Sequence, residues 1–436
     1  MIRFVFTSKN KKKPFYEKKW LLFCLLLFSL NVARSTETVL FWHSFAGHLG
    51  KELTQLVEEF NQNQTLINIR PRYKGDYIET LTSYAAAKQA GKAPGLVQVF
   101  EVGTAFMEQA PGLIQPVDDL MRAQGYPSLS TTLLPGIASF YTKKGVLQAM
   151  PLNVSLPVMF YNQSILKKLG YDGERFPKNW QDFDILLHKL KREGYKCGYA
   201  TAYPAWIHVE VYAAMHRLNL SSSESGSYSV FSQPAIAAHW QRLRRWQNDG
   251  LFVYGGRNSD ATVLFTSGRC PIFSQSSGSL QSLQHMVSFP VAVAALPYDS
   301  QWAASHANPL FGGAGLWVLA GQSQEAQRGI AAFLLFLSRP ETQVKWYQKT
   351  GYLPMISEQY YTSHQVSDLS GLLSLAWEAF KMPGEEAYDL PQNQLRTVLD
   401  KAMESVFSRQ KTVQLALQDA QKQINYCLHR YKRSHP

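Results

Sequence analysis

The sequence has few cysteines and few charged side chains, and each shortage excludes a class of protein. Four cysteines in 436 residues are too few for a disulfide-dense scaffold, and no C-x-x-C pair is present for a structural zinc site. Charged residues make up 17% of the chain and hydrophobic residues 45%, which excludes wholesale disorder and provides a sizeable core. A chain of 436 residues is too long for one ordinary hydrophobic core, so its length predicts two domains of about 100–200 residues each.

Long apolar runs are scarce, and the clearest one follows a basic N-terminus. Eight of the first 35 residues are basic against the single Glu17, a net charge of +7. The apolar run at 20–30 is shorter than the roughly 20 residues that span a bilayer, and small residues precede a cut after Ser35. This pattern predicts a signal peptide over 1–35, cleaved near Ser35, and export to the periplasm, with an uncleaved anchor as the alternative.

The net charge of +12 at first suggests a nucleic-acid or membrane partner, but most of it belongs to the predicted signal peptide. Subtracting its +7 leaves about +5 for residues 36–436, which is ordinary for this length. We therefore expect no nucleic-acid partner. Export also bears on the cysteines: a Cys197–Cys270 bridge with Cys427 free is one possibility in an oxidising compartment, and two buried thiols are the other.

Sequence motifs of the common catalytic sites are absent. The chain has no G-x-S-x-G, H-E-x-x-H, G-x-x-x-x-G-K-[ST] or G-x-G-x-x-G pattern. His43 and His48 are poorly spaced for paired metal ligands. These absences disfavour an enzyme, so we expect no catalytic residues, no metal and no cofactor. An exported hydrolase remains an alternative, because a triad assembled in space leaves no motif.

Hydrophobic periodicity predicts an α/β fold. A strand at 38–45, a helix at 47–61, a strand at 67–73, a helix at 77–88 and a strand at 96–100 alternate in the β-α-β pattern of a mostly parallel sheet. Further elements are predicted beyond residue 150: strands at 158–161, 198–202, 269–274 and 291–296, and helices at 180–193, 234–249, 325–337, 391–408 and 412–428. No linker interrupts them, which favours two lobes joined by several chain crossings.

Hydroxyl, aromatic and glycine residues are concentrated just after the predicted strands, where open α/β sheets bind ligands. Aromatic and hydroxyl groups suit a polyol or sugar, and glycine turns with free N–H groups suit an anion. The candidate segments are 42–44, 73–77, 100–103, 153–155, 203–206, 274–279 and 312–315.

Several phrases resemble one family of proteins. They include FWHSFAGHLGKEL (41–53), YKGDY (73–77), APGLVQVFEVGTA (93–105), SQSSGSL (274–280), GGAGLWV (312–318) and KTGYLP (349–354). They are similar to phrases of the extracellular solute-binding proteins of the maltose-binding-protein-like class, and within it to periplasmic proteins that bind sn-glycerol 3-phosphate for an ABC importer. The matches span almost all of 36–436 in order.

The resemblance implies a fold, an activity and partners. The fold would be a two-lobed, flytrap-like α/β structure with a central cleft, the first lobe comprising 36–149 and 309–348 and the second 150–308 and 349–436. The protein would act as a monomer that captures sn-glycerol 3-phosphate and delivers it to ABC permease subunits in the inner membrane.

The resemblance also implies a set of ligand-binding residues. Arg396 would pair with the phosphate, assisted by neutral donors on Ser276, Tyr352 and the Gly313 N–H. Glu101 would repel phosphate and therefore lie at the other end of the ligand, accepting from glycerol hydroxyls. The full set is Tyr77, Glu101, Ser155, Tyr203, Trp206, Ser276, Gly313, Tyr352 and Arg396.

Two departures from the family pattern leave the ligand open. Val154 and Leu156 flank Ser155, which removes two possible hydroxyl donors. Tyr203 stands where the family has a tryptophan facing the glycerol, and the smaller ring has room for a bulkier head group. A glycerophosphodiester such as glycerophosphocholine, or a sugar, is therefore the alternative ligand.

Overall fold

Two five-stranded sheets organise the computed structural model, which describes residues 36–109, 112–218, 220–222, 227–228, 233–303, 310–355, 363, 371–380 and 392–434. The strands in chain order are β1 (Glu37–His43), β2 (Ile67–Tyr73), β3 (Leu96–Phe100), β4 (Thr142–Lys143), β5 (Val146–Leu147), β6 (Met150–Ser155), β7 (Pro157–Asn162), β8 (Tyr199–Thr201), β9 (Ser221–Ser222), β10 (Ser227–Tyr228), β11 (Phe252–Val253), β12 (Ile272–Ser276), β13 (Val291–Ala295) and β14 (Gly312–Val318).

Helices cover both sheets, as the alternating pattern predicts. The α-helices are Gly47–Gln62, Tyr77–Gln89, Thr104–Glu108, Val117–Ala123, Pro135–Ala138, Gln163–Lys168, Trp180–Arg192, Tyr212–Met215, Pro234–Asn248, Thr262–Thr266, Leu280–Met286, Gln324–Ser338, Pro340–Thr350, Leu372–Phe380, Gln392–Phe407 and Val413–Ser434. Short 3₁₀ turns lie at Glu101–Gly103, Ser139–Tyr141 and Ser277–Ser279, and one π-helical turn at Trp206–Val211.

The first sheet has the order β2-β1-β3-β14-β6. Its strands β1, β2 and β3 are parallel, as predicted, and every residue of β3 is buried. The prediction of a mostly parallel sheet is wrong, however, because β14 returns late in the chain and pairs antiparallel with both β3 and β6. Strands that are more than 200 residues apart in the sequence thus pair in one sheet.

The second sheet, β11-β8-β12-β7-β13, is also mixed. Its strand β8 runs parallel to β11 and β12, whereas β7 is antiparallel to β12 and β13. The helix Trp180–Arg192 covers this sheet with an apolar face that recurs at helical spacing. Asn179 begins the helix, its side chain accepting from the Asp182 N–H at 2.8 Å.

The two sheets define two lobes, so the predicted two-lobed α/β fold is confirmed. The helices Gln392–Phe407 and Val413–Ser434 pack against each other and join the core of the second lobe. The first chain crossing lies later than predicted, because β6, assigned to the second lobe by the boundary at 149, pairs with β14 in the first sheet. The other lobe boundaries remain predictions.

Cys197 and Cys270 form a disulfide, which decides between the two alternatives left open by the sequence. The bond joins the segments that lead into β8 and β12, and both cysteines are fully buried. Cys427 is a free thiol.

The predicted signal peptide, residues 1–35, lies outside the described residues. Within the described part of the chain, no helix is both long and apolar enough to cross a membrane. The same residues contain no group of three or more His, Cys, Asp or Glu side chains placed to hold a metal ion.

Candidate functional site

The carboxyl end of β3 brings Glu101 to the boundary between the lobes. Its Oε2 accepts from the N–H of Gly313 at 3.3 Å, which ties two neighbouring strand ends together. Gly313 has a φ of +129°, and a Cβ there would lie 1.8 Å from the carbonyl oxygen of Asn153, so only glycine fits. The main-chain N–H of Gly313 is therefore held facing the same space as the Glu101 carboxylate.

Arg396 approaches Glu101 from the second lobe. Its neighbours Leu395, Val398 and Leu399 are buried in that lobe, which fixes the rotation of the helix Gln392–Phe407. The guanidinium Nη1 donates to Glu101 Oε1 at 2.8 Å, and the Arg396 side chain is 17% exposed. The pair joins the two lobes, so the structure is a closed arrangement.

A second carboxylate also holds Arg396. Glu210 accepts from Nε at 2.9 Å and from Nη2 at 2.5 Å, which is a bidentate, charge-assisted pair. Burial alone would lower the pKa of Arg396, but the carboxylates of Glu210 and Glu101 outweigh it and raise that pKa above its usual value.

The resemblance places Arg396 and Glu101 at opposite ends of a ligand, and in this structure the two side chains pair directly with each other. The sequence argument considered how each side chain would act on phosphate and omitted their mutual attraction. A buried guanidinium takes carboxylate partners, since burying it unpaired is strongly unfavourable. Both residues nevertheless lie at the lobe boundary, as predicted.

Aromatic rings surround this pair on the first lobe. Tyr77 begins the helix Tyr77–Gln89 behind an Asp76–Glu79 capping box, and its ring stacks on Phe100 with centroids 5.4 Å apart. Asn153 donates to the Tyr77 hydroxyl at 3.1 Å. Burial raises the pKa of Tyr77 well above its usual value, so the hydroxyl stays protonated and able to donate.

Tyr352 lies beside Tyr77 and is held by packing against Trp346 and Gly278. Its ring stacks on Trp346 at 6.1 Å, and a Cβ on Gly278 would lie 2.3 Å from its Cε1. Burial raises the pKa of Tyr352 above its usual value. Its hydroxyl is thus a second fixed, neutral donor.

Two predicted serines lie at the ends of β6 and β12. Ser155 is buried opposite Gly312 in the register of the first sheet, and Ser276 is opposite Pro157 in the second. Neither hydroxyl bonds to another described residue. The neighbouring Ser277 instead serves the fold, because its Oγ accepts from the Leu156 N–H at 3.1 Å.

The second lobe supplies Tyr203 and Trp206. Tyr203 has a φ of +42°, uncommon for an aromatic residue, and its N–H donates to Asn258 O at 2.6 Å. The ring packs edge-on against Trp206, whose own ring contacts Gly312 of the first lobe so closely that a Cβ there would lie 2.7 Å from Cζ2. Burial raises the pKa of Tyr203 to about 12.

Trp206 and Glu210 belong to the same π-helical turn, Trp206–Val211, a rare geometry that is frequent at functional sites. A buried network supports this turn from behind. His208 Nδ1 lies 2.9 Å from His239 Nε2, and the Tyr199 hydroxyl lies 3.1 Å from His208 Nε2. Burial lowers the pKa of His208 to about 3, so the ring is neutral.

Asp400 lies one helical turn beyond Arg396. Its Oδ1 accepts from the Ala205 N–H at 3.3 Å, beside the π-helical turn. Burial raises the pKa of Asp400 to about 6, and the nearby charge of Arg396 opposes that rise.

The structure joins Glu101 to Gly313 and Arg396 and places Tyr203 against Trp206 and Tyr77 beside Tyr352, whereas Ser155 and Ser276 lie at strand ends without a hydrogen bond to the other seven. Sequence reasoning missed Glu210 and Asp400, and it included Asn153 within the candidate segment 153–155 without assigning it a role. A cavity of about 940 Å³ lies beside the site. None of the nine predicted site residues lines it; its lining includes Leu81, Phe106, Gln394 and Tyr426. Glu101 meets Arg396 and Trp206 meets Gly312 directly, and both contacts cross the lobe boundary.

Comparison with known proteins agrees with this architecture. Residues 55–371 match the family model of the bacterial extracellular solute-binding proteins. The chain is 36% identical over 425 residues to the sn-glycerol-3-phosphate-binding periplasmic protein UgpB of Yersinia pestis, covering 94% of this chain and 96% of that protein. The corresponding protein of Pectobacterium atrosepticum is 35% identical over 418 residues, covering 92% and 94%.

Solved structures show the same fold at low identity. UgpB from Mycobacterium tuberculosis, crystallised with glycerophosphocholine, has a TM-score of 0.75 at 20% identity and covers 91% of this chain and 99% of its own. Maltose-bound MalE3 of T. maritima has a TM-score of 0.74 at 15% identity, covering 90% and 100%. Because the family model and the relatives match most of its length, the two-lobed chain belongs to the bacterial extracellular solute-binding protein family.

Proposed function

We propose that this protein is the periplasmic solute-binding component of an ABC importer and that it captures sn-glycerol 3-phosphate. The observation that carries the proposal is the meeting of Arg396 and Glu101 across the lobe boundary, among fixed neutral donors. The relatives named for this ligand, at 35–36% identity over most of the chain, support it.

The site chemistry suits a phosphate at one end and hydroxyls at the other. Arg396 supplies charged N–H donors, and Gly313 N–H, Ser276 and Tyr352 supply neutral ones. Glu101 accepts from glycerol hydroxyls once an anion has taken its place on Arg396. Ser155 and Tyr77 complete the polar surface, and Trp206 with Tyr203 covers the carbon chain.

Lobe closure is the functional event in this proposal. Ligand binding stabilises the closed arrangement, whose surface is then presented to permease subunits in the inner membrane. No catalytic step is involved, and the protein acts as a monomer after removal of residues 1–35. N-terminal sequencing of the exported protein tests the cut near Ser35, and size-exclusion chromatography with light scattering tests the monomer.

Titration calorimetry with sn-glycerol 3-phosphate, glycerophosphocholine and maltose tests the ligand. We expect heat with glycerol 3-phosphate and none with maltose; heat with maltose alone would contradict the proposal. Phosphate or glycerol released during long incubation with excess ligand would instead favour an exported hydrolase.

A glycerophosphodiester is the second candidate ligand, and Tyr203 is the observation that favours it. The ring is smaller than a tryptophan, and its backbone is fixed by Asn258, so the space is not refilled by a rotation of the main chain. Tighter binding of glycerophosphocholine than of glycerol 3-phosphate in the same titrations would select this candidate.

A further inference from the structure

Negative charge exceeds positive charge around Arg396. Glu101 and Glu210 both bond to its guanidinium, at 2.8 Å and at 2.5 and 2.9 Å, so this group of three side chains carries a net charge of −1. Asp400 adds a third carboxyl group on the same helix. This is an unfavourable setting for a free anion, although the proposed ligand is itself an anion.

The two glutamates differ in their relation to Arg396. Glu210 lies on the second lobe with Arg396 and accepts from the Nε–Nη2 edge of its guanidinium. Because both residues belong to one lobe, this pair persists when the lobes separate. Glu101 lies on the first lobe, and its contact with Nη1 exists only in the closed arrangement. A guanidinium has five N–H groups; with three engaged, two remain, and the departure of Glu101 adds one more.

An anion that reaches Arg396 therefore finds the bidentate Nε–Nη2 edge already occupied and a carboxylate beside it. Repulsion by Glu210 acts on every anion, but only a ligand that carries hydroxyls on a carbon chain away from its phosphate gains compensating bonds to Glu101 and Ser155 while the phosphate is on Arg396. Selectivity commonly arises in this way, from a repulsive element that a preferred partner can offset and a competitor cannot.

We propose that Glu210 is a specificity-determining residue that makes the site reject phosphate ions lacking a glycerol group. The inference rests on the proposed function, since it concerns the same site. Glu210 acts through Arg396 by occupying one edge of the guanidinium and lowering the local charge. A purely structural role, anchoring the helix Gln392–Phe407, would weaken the binding of all ligands together.

The test compares wild type with Glu210→Gln in calorimetric titrations with sn-glycerol 3-phosphate and with inorganic phosphate. We expect the variant to bind inorganic phosphate more tightly, and the ratio of the two affinities to fall by about tenfold or more, which corresponds to about 1.4 kcal/mol. Glu210→Asp retains the charge and is expected to keep the wild-type ratio. The matched control is Glu404→Gln. Glu404 lies on the same helix as Arg396 and pairs with Arg257, and losing this pair should leave the ratio of affinities unchanged.

An unchanged ratio in Glu210→Gln, or an equal loss of both affinities, overturns the inference. Because the expected result is a gain of phosphate binding, misfolding cannot imitate it; if Glu210→Gln does not fold by circular dichroism, the neutral Glu210→Met is measured instead. Failure of wild type to bind glycerol 3-phosphate would contradict the proposed function. The inference would then be decided by inorganic phosphate alone, with a gain in the variant supporting it and no gain overturning it.

Discussion

Arg396 Nη1 and Glu101 Oε1 lie 2.8 Å apart, although 295 residues separate them in the sequence and they belong to different lobes. Their pair is a bond between the two lobes. A ligand that bonds to the Nη1 N–H used by Glu101 must replace that carboxylate, so at this atom the interaction that favours closure also competes with binding. This relation makes the pair the natural place to perturb the equilibrium between open and closed forms.

Glu101→Gln should open the unliganded protein. The substitution removes the charge from the interlobe pair, and a hydrogen bond to a charged group contributes about 1.5–3 kcal/mol. We expect the closed fraction to fall by about tenfold, seen as a larger radius of gyration in small-angle X-ray scattering. Lys345→Gln breaks the Lys345–Glu59 pair within the first lobe and should leave the radius unchanged. An equal radius for Glu101→Gln and wild type would show that the pair does not hold the lobes together.

Arg396→Ala should remove most of the affinity for glycerol 3-phosphate. Truncating one partner of a buried charge pair costs about 2–5 kcal/mol of binding free energy. Arg396→Lys should recover only part of the loss, because an ammonium group cannot keep the bidentate bond with Glu210 and still face the ligand. Arg257→Gln, which loses the pair with Glu404 elsewhere on the same helix, is the control. Calorimetric affinity unchanged in Arg396→Ala would mean that the anion binds elsewhere.

Gly278→Ala should weaken ligand binding through Tyr352. The new Cβ would lie 2.3 Å from Cε1 of that ring, and stacking on Trp346 prevents the ring from retreating without a shift of the segment. Overpacking of this kind costs about 1–3 kcal/mol, so we expect about tenfold weaker binding by calorimetry. Gly173→Ala, whose nearest neighbour is the Tyr161 hydroxyl at 4.0 Å, should bind as wild type does. Equal affinities for the two variants would remove Tyr352 from the site.

Local pattern predicted the elements whose side chains repeat regularly. The helix Trp180–Arg192 has its apolar residues at helical spacing behind an Asn179 cap, and β3 is a continuous apolar run. The strand β6 was missed because Pro151 and Asn153 interrupt any strand pattern. It lies at the edge of the first sheet, where proline is tolerated, and Gln98 satisfies the buried Asn153 side chain at 2.8 Å.

The site residues were predicted largely through family resemblance. The residues that this prediction missed are placed in the site by tertiary contacts. Glu210 is four residues from Trp206 in the sequence. No periodicity predicts the π-helical turn that directs Glu210 toward Arg396 and Trp206 toward Gly312. The antiparallel entry of β14 is similarly set by pairing across the whole chain. Both features arise from long-range packing, which short windows of sequence do not encode.

The Cys197–Cys270 disulfide should stabilise the second lobe substantially. Its sequence separation of 73 residues corresponds, by loop-closure entropy, to about 4 kcal/mol. We expect the double variant Cys197→Ala with Cys270→Ala to unfold at a lower urea concentration than wild type. Its free energy of unfolding should be smaller by that amount. Cys427→Ser, which alters the free thiol, should not lower that free energy. A double variant as stable as wild type would show that the bond contributes nothing to the folded state.

Acid should destabilise the protein through the buried histidines. Burial lowers the pKa of His208 to about 3, from about 6.5 in an unfolded chain. Between these values the unfolded state binds a proton that the folded state does not, so the free energy of unfolding falls as pH falls, by about 1.4 kcal/mol per pH unit. The contact between His208 and His239 requires one ring nitrogen to donate and the other to accept, which two protonated rings cannot do.

The measurement is urea unfolding at pH 7 and pH 5 for wild type and His208→Gln. Wild type should lose about 2 kcal/mol more than the variant over this interval, because only wild type carries the titrating ring. Asp400, whose pKa burial raises to about 6, acts in the opposite direction, since the folded state holds its proton more tightly. That contribution is common to both proteins and cancels in the comparison. The control His285→Gln, at an exposed position, should lose as much free energy of unfolding between pH 7 and pH 5 as wild type does. An equal loss of unfolding free energy in wild type and His208→Gln would mean that the buried ring is not held neutral.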